Sequence, residues 1–465
     1  MRSPARQFNL ADQRAFAELS GDHNPMHLDV QVARRLLLGG VAVHGIHLVL
    51  WALDSLLAAG VALPALRSIR VHFDRPAGLD DEIALQWEVA ENQITVTAGN
   101  SLGRLMRMRL HAGAGRGPAW DGSRALPPAH CQEKVLDDLA TEAGDLALAL
   151  PAGFATLFPH LHQGFSATQS AILLASTRLV GMICPGRHSI FSGLSLTFEQ
   201  EPAAPGKLAY TVSRADPRVG LIDIAISGAG CRGRLETFLR PGPILQPSFA
   251  ALRGAIPAGG FVGQRALIIG GARGLGELTA KLLAMGGADV TITYRQGADD
   301  AASLGADAAA AGFSLHAMHF DIGSPPAAVP APAGKFTHSY YYASPRIIPG
   351  ELSGFAAGRL ARYLEYYVNG FARSVEWLRS RAVADVCVWY PSSIFVDQPP
   401  PGLAEYAMAK ACGEALCVHM TTHLSPMRVV SDRLPRLATD QNQSLTEQTL
   451  ADAVDILRPI LLRLA

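Results

Sequence analysis

A short apolar run that stops on glycine constrains this chain more than any other feature. Arg265-Ala-Leu-Ile-Ile269 reads as a buried strand. Behind it come Gly270-Gly271-Ala272-Arg273-Gly274-Leu275-Gly276, an apolar helix, and a second run, Asp289-Val-Thr-Ile-Thr-Tyr294. Strand, glycine turn, helix and strand form a βαβ unit, which requires a parallel sheet. Gly270, Gly274 and Gly276 leave room for a tight turn, a close phosphate and helix–strand packing. The helix that starts there offers free N–H groups and its positive dipole end to a pyrophosphate. Helix and strand patterns near residues 359–379 and 386–389 continue the alternation, so an open α/β sheet is expected.

Charge around this turn selects the cofactor. Arg295 follows Tyr294, where an acidic residue would otherwise accept hydrogen bonds from a ribose 2′-hydroxyl, and Arg273 lies within the turn. Two guanidinium groups suit a 2′-phosphate, so NADP(H) is favoured over NAD(H). Further on, Tyr406-Ala-Met-Ala-Lys410 puts a phenol and an ammonium on one helical face, with Ser393 thirteen residues before Tyr406. The ammonium is expected to depress the phenol pKa, and the serine hydroxyl to hold a carbonyl oxygen beside it.

With these motifs, residues 263–465 resemble the short-chain dehydrogenase/reductase family. The resemblance implies a Rossmann-like doubly wound parallel sheet, Tyr406 as proton donor, Lys410 as its partner and Ser393 as the substrate-orienting hydroxyl. It also implies Asn369 as a proton-relay residue and Asp321 as the adenine contact. Gly270, Arg273, Gly274, Leu275, Gly276, Arg295, Asp321, Tyr406 and Lys410 are then the cofactor-binding residues. Departures from the family occur at Tyr341-Tyr342-Ala343-Ser344 and at Pro435-Arg436, and only 55 residues follow Lys410.

The preceding part reads as one architecture used twice. Residues 113–128 and 241–260 are rich in glycine and proline without an apolar period, which cuts the chain into residues 1–112, 129–240 and 261–465. Alternating runs at residues 68–73 and 94–97 recur at residues 193–198 and 222–226. A long apolar helix candidate precedes each set, at residues 45–59 and 168–180. Two unrelated α+β domains would give the same short patterns. In the first half Asp22 and His27 stand five apart across Asn24-Pro25, a turn that brings carboxylate and imidazole to one water molecule. His44-Gly45 opens the long helix, where the free N–H of Gly45 can stabilise an enolate oxygen.

Residues 1–112 resemble the MaoC-like (R)-specific enoyl hydratase family on Gly21-Asp22, Asn24-Pro25, His27 and His44-Gly45. The resemblance implies an α+β double hot-dog, with Asp22 and His27 as the acid/base pair for reversible hydration of a 2-enoyl thioester. Residues 129–240 lack the signature and are read as the non-catalytic half. A metal reading uses His23, His27, His44 and His47, but no zinc-type spacing completes it, so no metal is expected.

Composition excludes other classes. Forty basic residues balance forty acidic ones among 465, and 17% are charged against 49% hydrophobic, which argues against nucleic acid, anionic membranes and general disorder. Six cysteines form no C-x-x-C pair, and residues 41–66, the most apolar stretch, are interrupted by His44, His47 and Asp54. A cytoplasmic protein without a leader segment is expected, and a homodimer on general frequency. The two motif sets together suggest a 3-oxoacyl-thioester reductase joined to a 3-hydroxyacyl-thioester dehydratase, its substrate carried by coenzyme A or an acyl carrier protein. The oxidative direction and an acyl-binding, non-catalytic double hot-dog stay open as alternatives.

Overall fold

The computed structural model describes residues 3–465 except 4, 37–38, 64, 92, 102, 114–125, 127–129, 200–205, 326–334, 348, 350–353 and 443–448. Most of the expected linker at 113–128 therefore lies outside the described residues. The chain divides into two compact units, Met1–Gly242 and Pro243–Gln443 with Gln448–Ala465.

The first unit is built on one nine-stranded sheet. Its strands are β1 (Leu66–Phe73), β2 (Ala84–Ala90), β3 (Gln93–Asn100), β4 (Gly103–Ala112), β5 (Ala143–Ala147), β6 (Ser189–Phe198), β7 (Lys207–Asp216), β8 (Leu221–Gly228) and β9 (Cys231–Leu239). They run in the order β2-β3-β4-β1-β6-β9-β8-β7-β5. The two halves join where β1 pairs antiparallel with β6, Ile69 opposite Leu196. Alternation does what it promised: Ile94, Val96 and Ala98 of β3 are buried while the residues between them are not. A helix is wrapped by each half, Gly45–Ala58 in the first and Ala167–Arg178 in the second. Every residue from Thr168 to Arg178 is buried, as a helix enclosed on all sides must be. This is a hot-dog-like arrangement, repeated once.

The second unit carries a six-stranded sheet in which every pairing is parallel. Its strands are β10 (Arg265–Ile269), β11 (Asp289–Tyr294), β12 (Leu315–His319), β13 (Phe336–Tyr341), β14 (Ala382–Ser393) and β15 (Arg428–Leu434). The order β12-β11-β10-β13-β14-β15 reverses direction beside β10, so the topological switch point falls between β10 and β13, where sheets of this kind bind ligands at their carboxyl ends. Ala266 and Ile268 of β10 face one apolar core, Leu267 and Ile269 the other, so helices cover both faces. Residues 241–260 form no helix or strand, yet they are packed: Phe249, Leu252 and Ile256 are buried, and Phe249 stacks on Phe313 at 5.3 Å.

Candidate functional sites

The first site is assembled at a turn. The helix Leu10–Ser20 ends on Gly21 at φ 72°, and Asn24 caps the short helix Pro25–Leu28 by accepting from Met26 N–H. Asp22 is thereby held 1% exposed, and His27 projects from the short helix beside it. His27 Nδ1 donates to Ala42 O at 2.8 Å, which leaves Nε2 as a lone-pair acceptor. His27 and His44 stack at 3.8 Å. His44 is clamped between two oxygens, Gln13 Oε1 2.9 Å from Nδ1 and Asp22 O 3.0 Å from Nε2. Gly45 opens the helix Gly45–Ala58, and a Cβ there would meet the Phe73 ring at 2.8 Å.

The second half completes this site. Thr177 donates its hydroxyl to Asp22 Oδ2 at 2.7 Å from the end of the helix Ala167–Arg178. That helix runs into a π turn, Leu179–Ile183, which lays Gly181 on the carboxylate; a Cβ on Gly181 would lie 2.2 Å from Asp22 Oδ1. Asn24 Nδ2 donates to Gly181 O at 2.9 Å and thus ties the signature turn to the same loop. Gln13, Thr177 and Gly181 were not anticipated as site residues. Only their three-dimensional neighbours mark them.

Burial dominates the electrostatics. It pushes the Asp22 carboxyl up and the His27 imidazole down; their mutual attraction opposes both shifts, and the Thr177 hydroxyl also favours the carboxylate. Burial holds His44 well below the usual histidine range. One ligating atom each from Asp22, His27 and His44 lie within 4.8 Å of one another, the one such buried trio among the described residues. Both ring nitrogens of His44 already face oxygen partners, which leaves Asp22 and His27 as the pair able to share one water. His47 points elsewhere, stacked on Phe16 at 4.5 Å. No described cysteine is bonded to another.

The second site lies at the carboxyl end of β14. Ser393 is the last residue of that strand, and Tyr406 and Lys410 share a face of the helix Ala404–His423. Ser393, whose hydroxyl accepts from Phe395 N–H at 3.2 Å, lies near enough to the Tyr406 phenol to favour its ionised form. Ser392 is otherwise engaged, donating to Glu414 Oε1 at 2.5 Å. Tyr406 departs from expectation. Burial pushes its phenol up to about 12, the nearby Ser393 hydroxyl opposes this, and the Lys410 ammonium stands 6.0 Å from the ring centroid. The phenol is accordingly a proton holder at neutral pH. Lys410 is buried, donates to Pro391 O at 2.6 Å, and is lowered by burial to about 7.

Asn369 requires a correction. The helix it belongs to passes through a π turn, Glu365–Asn369, between Ala357–Leu364 and Gly370–Arg379. The extra residue in that turn rotates Asn369 to the exposed side, where its Nδ2 donates to Glu365 Oε2 at 3.0 Å. Tyr363 and Tyr367 instead face Tyr406, edge-on, with centroids at 5.8 and 5.6 Å.

The glycine turn fits a dinucleotide. Gly270 and Gly274 adopt φ of 81° and 58°. A Cβ on Gly276 would lie 2.3 Å from Gly270 O, so the helix Gly274–Met285 can start this close to β10 only with glycine there. Leu275 lies in its first turn, and Arg273 precedes it at the N-cap position, its side chain reaching Asp440 at 3.7 Å. Arg295 is exposed just past β11. Asp321 follows β12 and accepts from Gly323 N–H at 2.9 Å.

Comparison with known proteins follows the same division. The family described as MaoC like domain matches residues 2–102. Solved structures similar to the chain include a short-chain dehydrogenase/reductase from Serratia marcescens, at 20% identity over 44% of this chain and 91% of that one, TM-score 0.38. A short chain dehydrogenase from Burkholderia cenocepacia, solved with NADP, matches at 20% identity over 44% and 91%, TM-score 0.37. A dehydrogenase/reductase from Sinorhizobium meliloti matches at 16% identity over 44% and 88%, TM-score 0.38. No curated protein matches the chain. Residues 2–102 thus match the MaoC like domain, and the C-terminal unit, by its own all-parallel strand order, has a Rossmann-like fold.

Proposed function

We propose that the chain is a bifunctional enzyme of acyl-chain assembly, an NADPH-dependent 3-oxoacyl-thioester reductase and a 3-hydroxyacyl-thioester dehydratase. The observation that carries this reading is the buried Asp22–His27 pair, within reach of one water, on the same polypeptide as Ser393, Tyr406 and Lys410.

In the reductase unit the nicotinamide, when bound, supplies hydride to the carbonyl carbon. Ser393 orients the carbonyl oxygen, and Tyr406 delivers a proton to it. A phenol held near 12 keeps that proton until the oxygen becomes basic. Lys410 holds positive charge beneath the phenol. Arg273 and Arg295 supply the charge that a 2′-phosphate needs, which supports NADP(H).

In the dehydratase unit His27 Nε2 takes the proton from C2 of the 3-hydroxyacyl thioester. Asp22, its carboxyl raised by burial, gives a proton to the departing hydroxyl, and water leaves. The Gly45 N–H at the helix start stabilises the thioester enolate oxygen between these steps. The first unit's substrate is the second unit's product.

The test is to incubate the protein with NADPH and acetoacetyl thioesters of coenzyme A and of acyl carrier protein, then weigh the products. Tyr406→Phe should abolish NADPH oxidation yet leave hydration of a crotonyl thioester intact, and Asp22→Asn should do the reverse. Loss of both activities in either folded variant would overturn the division of labour.

A further inference from the structure

Lys410 is a buried cation with no carboxylate of the described residues in contact. Its ammonium donates to Pro391 O at 2.6 Å, and the rest of it faces aromatic rings. Nζ stands 4.1 Å from the Tyr367 ring centroid and 4.9 Å from that of Tyr390, both within the range where a ring face attracts a cation. Tyr390 extends from β14, and Tyr367 comes from the π turn that turns Asn369 outward.

Tyr367 is itself over-determined. Its hydroxyl meets the Ser344 hydroxyl at 2.7 Å, and Ser344 donates in turn to Pro345 O at 3.0 Å, so the phenol proton points to Ser344. Its backbone carbonyl accepts from the Tyr390 hydroxyl at 3.2 Å. The ring is therefore fixed on both sides with its face presented to Lys410. Ser344 belongs to the Tyr341-Tyr342-Ala343-Ser344 stretch, one of the two places where the sequence departs from its family. Departure and rotated asparagine meet in one constellation.

We propose that Tyr367 is a positioning residue of the reductase site, whose ring face holds the Lys410 ammonium charged and in place where Asn369 does not reach. The inference rests on the reductase reading for its purpose, while its geometry stands in the second unit alone. The groups that bear on Lys410 are Tyr367 and Tyr390 by their rings, Tyr406 on its own helix, Cys417 two turns beyond it, and Glu414 one turn beyond, whose carboxylate is taken up by Arg433 and Ser392. Cys417 and Glu414 raise the lysine's affinity for its proton, and burial lowers it to about 7. Loss of the Tyr367 ring would leave burial less opposed.

The chain has five lysines, Lys134, Lys207, Lys281, Lys335 and Lys410, so an NMR titration of lysine labelled with 13C at Cε resolves each one. Lys410→Arg identifies the resonance. The measurement uses the full chain without cofactor and is independent of turnover. Tyr367→Leu should move the Lys410 midpoint down by about 0.5–1.5 pH units, the equivalent of a desolvated cation–π contact. Tyr367→Phe, which keeps the ring, should leave it within about 0.3 units. Pentafluorophenylalanine at position 367, which keeps the shape and inverts the ring's charge distribution, should act like leucine and decides the matter if the leucine variant does not fold.

The alkaline limb of the thioester-reduction profile should move with the lysine. An unmoved midpoint in the leucine and fluorinated variants, or an equal shift in Tyr367→Phe, would overturn the proposal. If instead the native protein reduces no thioester while the titrations behave as described, the reductase reading fails and the cation–ring contact stands.

Discussion

His47 lies one helical turn beyond His44, and the two imidazoles meet different fates. His44 is clamped by oxygens beside Asp22; both nitrogens of His47 are buried without a partner in a box formed by Phe8, Phe16 and Phe158. Burial lowers His47 to about 3, so the folded protein refuses a proton that the unfolded chain accepts near 6.5. The stability tied to this neutral ring is complete above about 6.5 and is lost as the pH falls towards about 3, at about 1.4 kcal/mol per pH unit. His47→Leu should flatten the acid limb of the unfolding free energy by one proton between pH 6.5 and 4, read from urea titrations. An unchanged slope would show that His47 takes its proton in the folded state.

Among elements, the two π turns carry the sites. Leu179–Ile183 delivers Gly181 to Asp22, and Glu365–Asn369 delivers Tyr367 to Lys410. Each inserts a residue into a helix and re-aims one side of it. Gly181→Ala would put a methyl group 2.2 Å from Asp22 Oδ1, on a carboxylate that Thr177 and Asn24 already pin. Enoyl-thioester hydration should fall about a hundredfold or more, as for a catalytic group displaced by about an ångström. Thioester reduction should change little, while the first unit should melt lower because the buried hydrogen bonds to the carboxylate are disturbed. Retained hydration would mean that the carboxylate moves without loss of function. The straight elements were legible beforehand: the glycine turn, the β10 and β11 runs and the helix Gly45–Ala58 follow from local periodicity. The π turns were not, because nothing in Leu179–Ile183 or Glu365–Asn369 differs in type from an ordinary helical turn.

At the scale of the whole molecule, each unit has its own buried core, and no described helix is long and apolar enough to cross a membrane. Trp389 sits at the centre of the second core, fully buried, its indole donating to Asp432 Oδ2 at 2.7 Å. Trp389→Ala should cost about 3–5 kcal/mol there. On heating, NADPH binding should disappear while enoyl-thioester hydration persists, with the calorimetric transition of the second unit displaced alone. Simultaneous loss of both would mean that the units unfold as one.

By itself the sequence determined the two fold classes and nominated the chemical groups of each site, because strand alternation, a glycine turn and a Tyr-x-x-x-Lys face are set by neighbours a few residues away. It placed Asp22 with His27 and Tyr406 with Lys410 for that reason. Only the tertiary structure decided what surrounds them. Thr177 reaches Asp22 from 155 residues away, Tyr367 reaches Lys410 across the fold, and Asn369 is turned out by an inserted residue. Such pairings depend on how helices settle against sheets, and the burial they impose pushes the Asp22 carboxyl up and the Lys410 ammonium down.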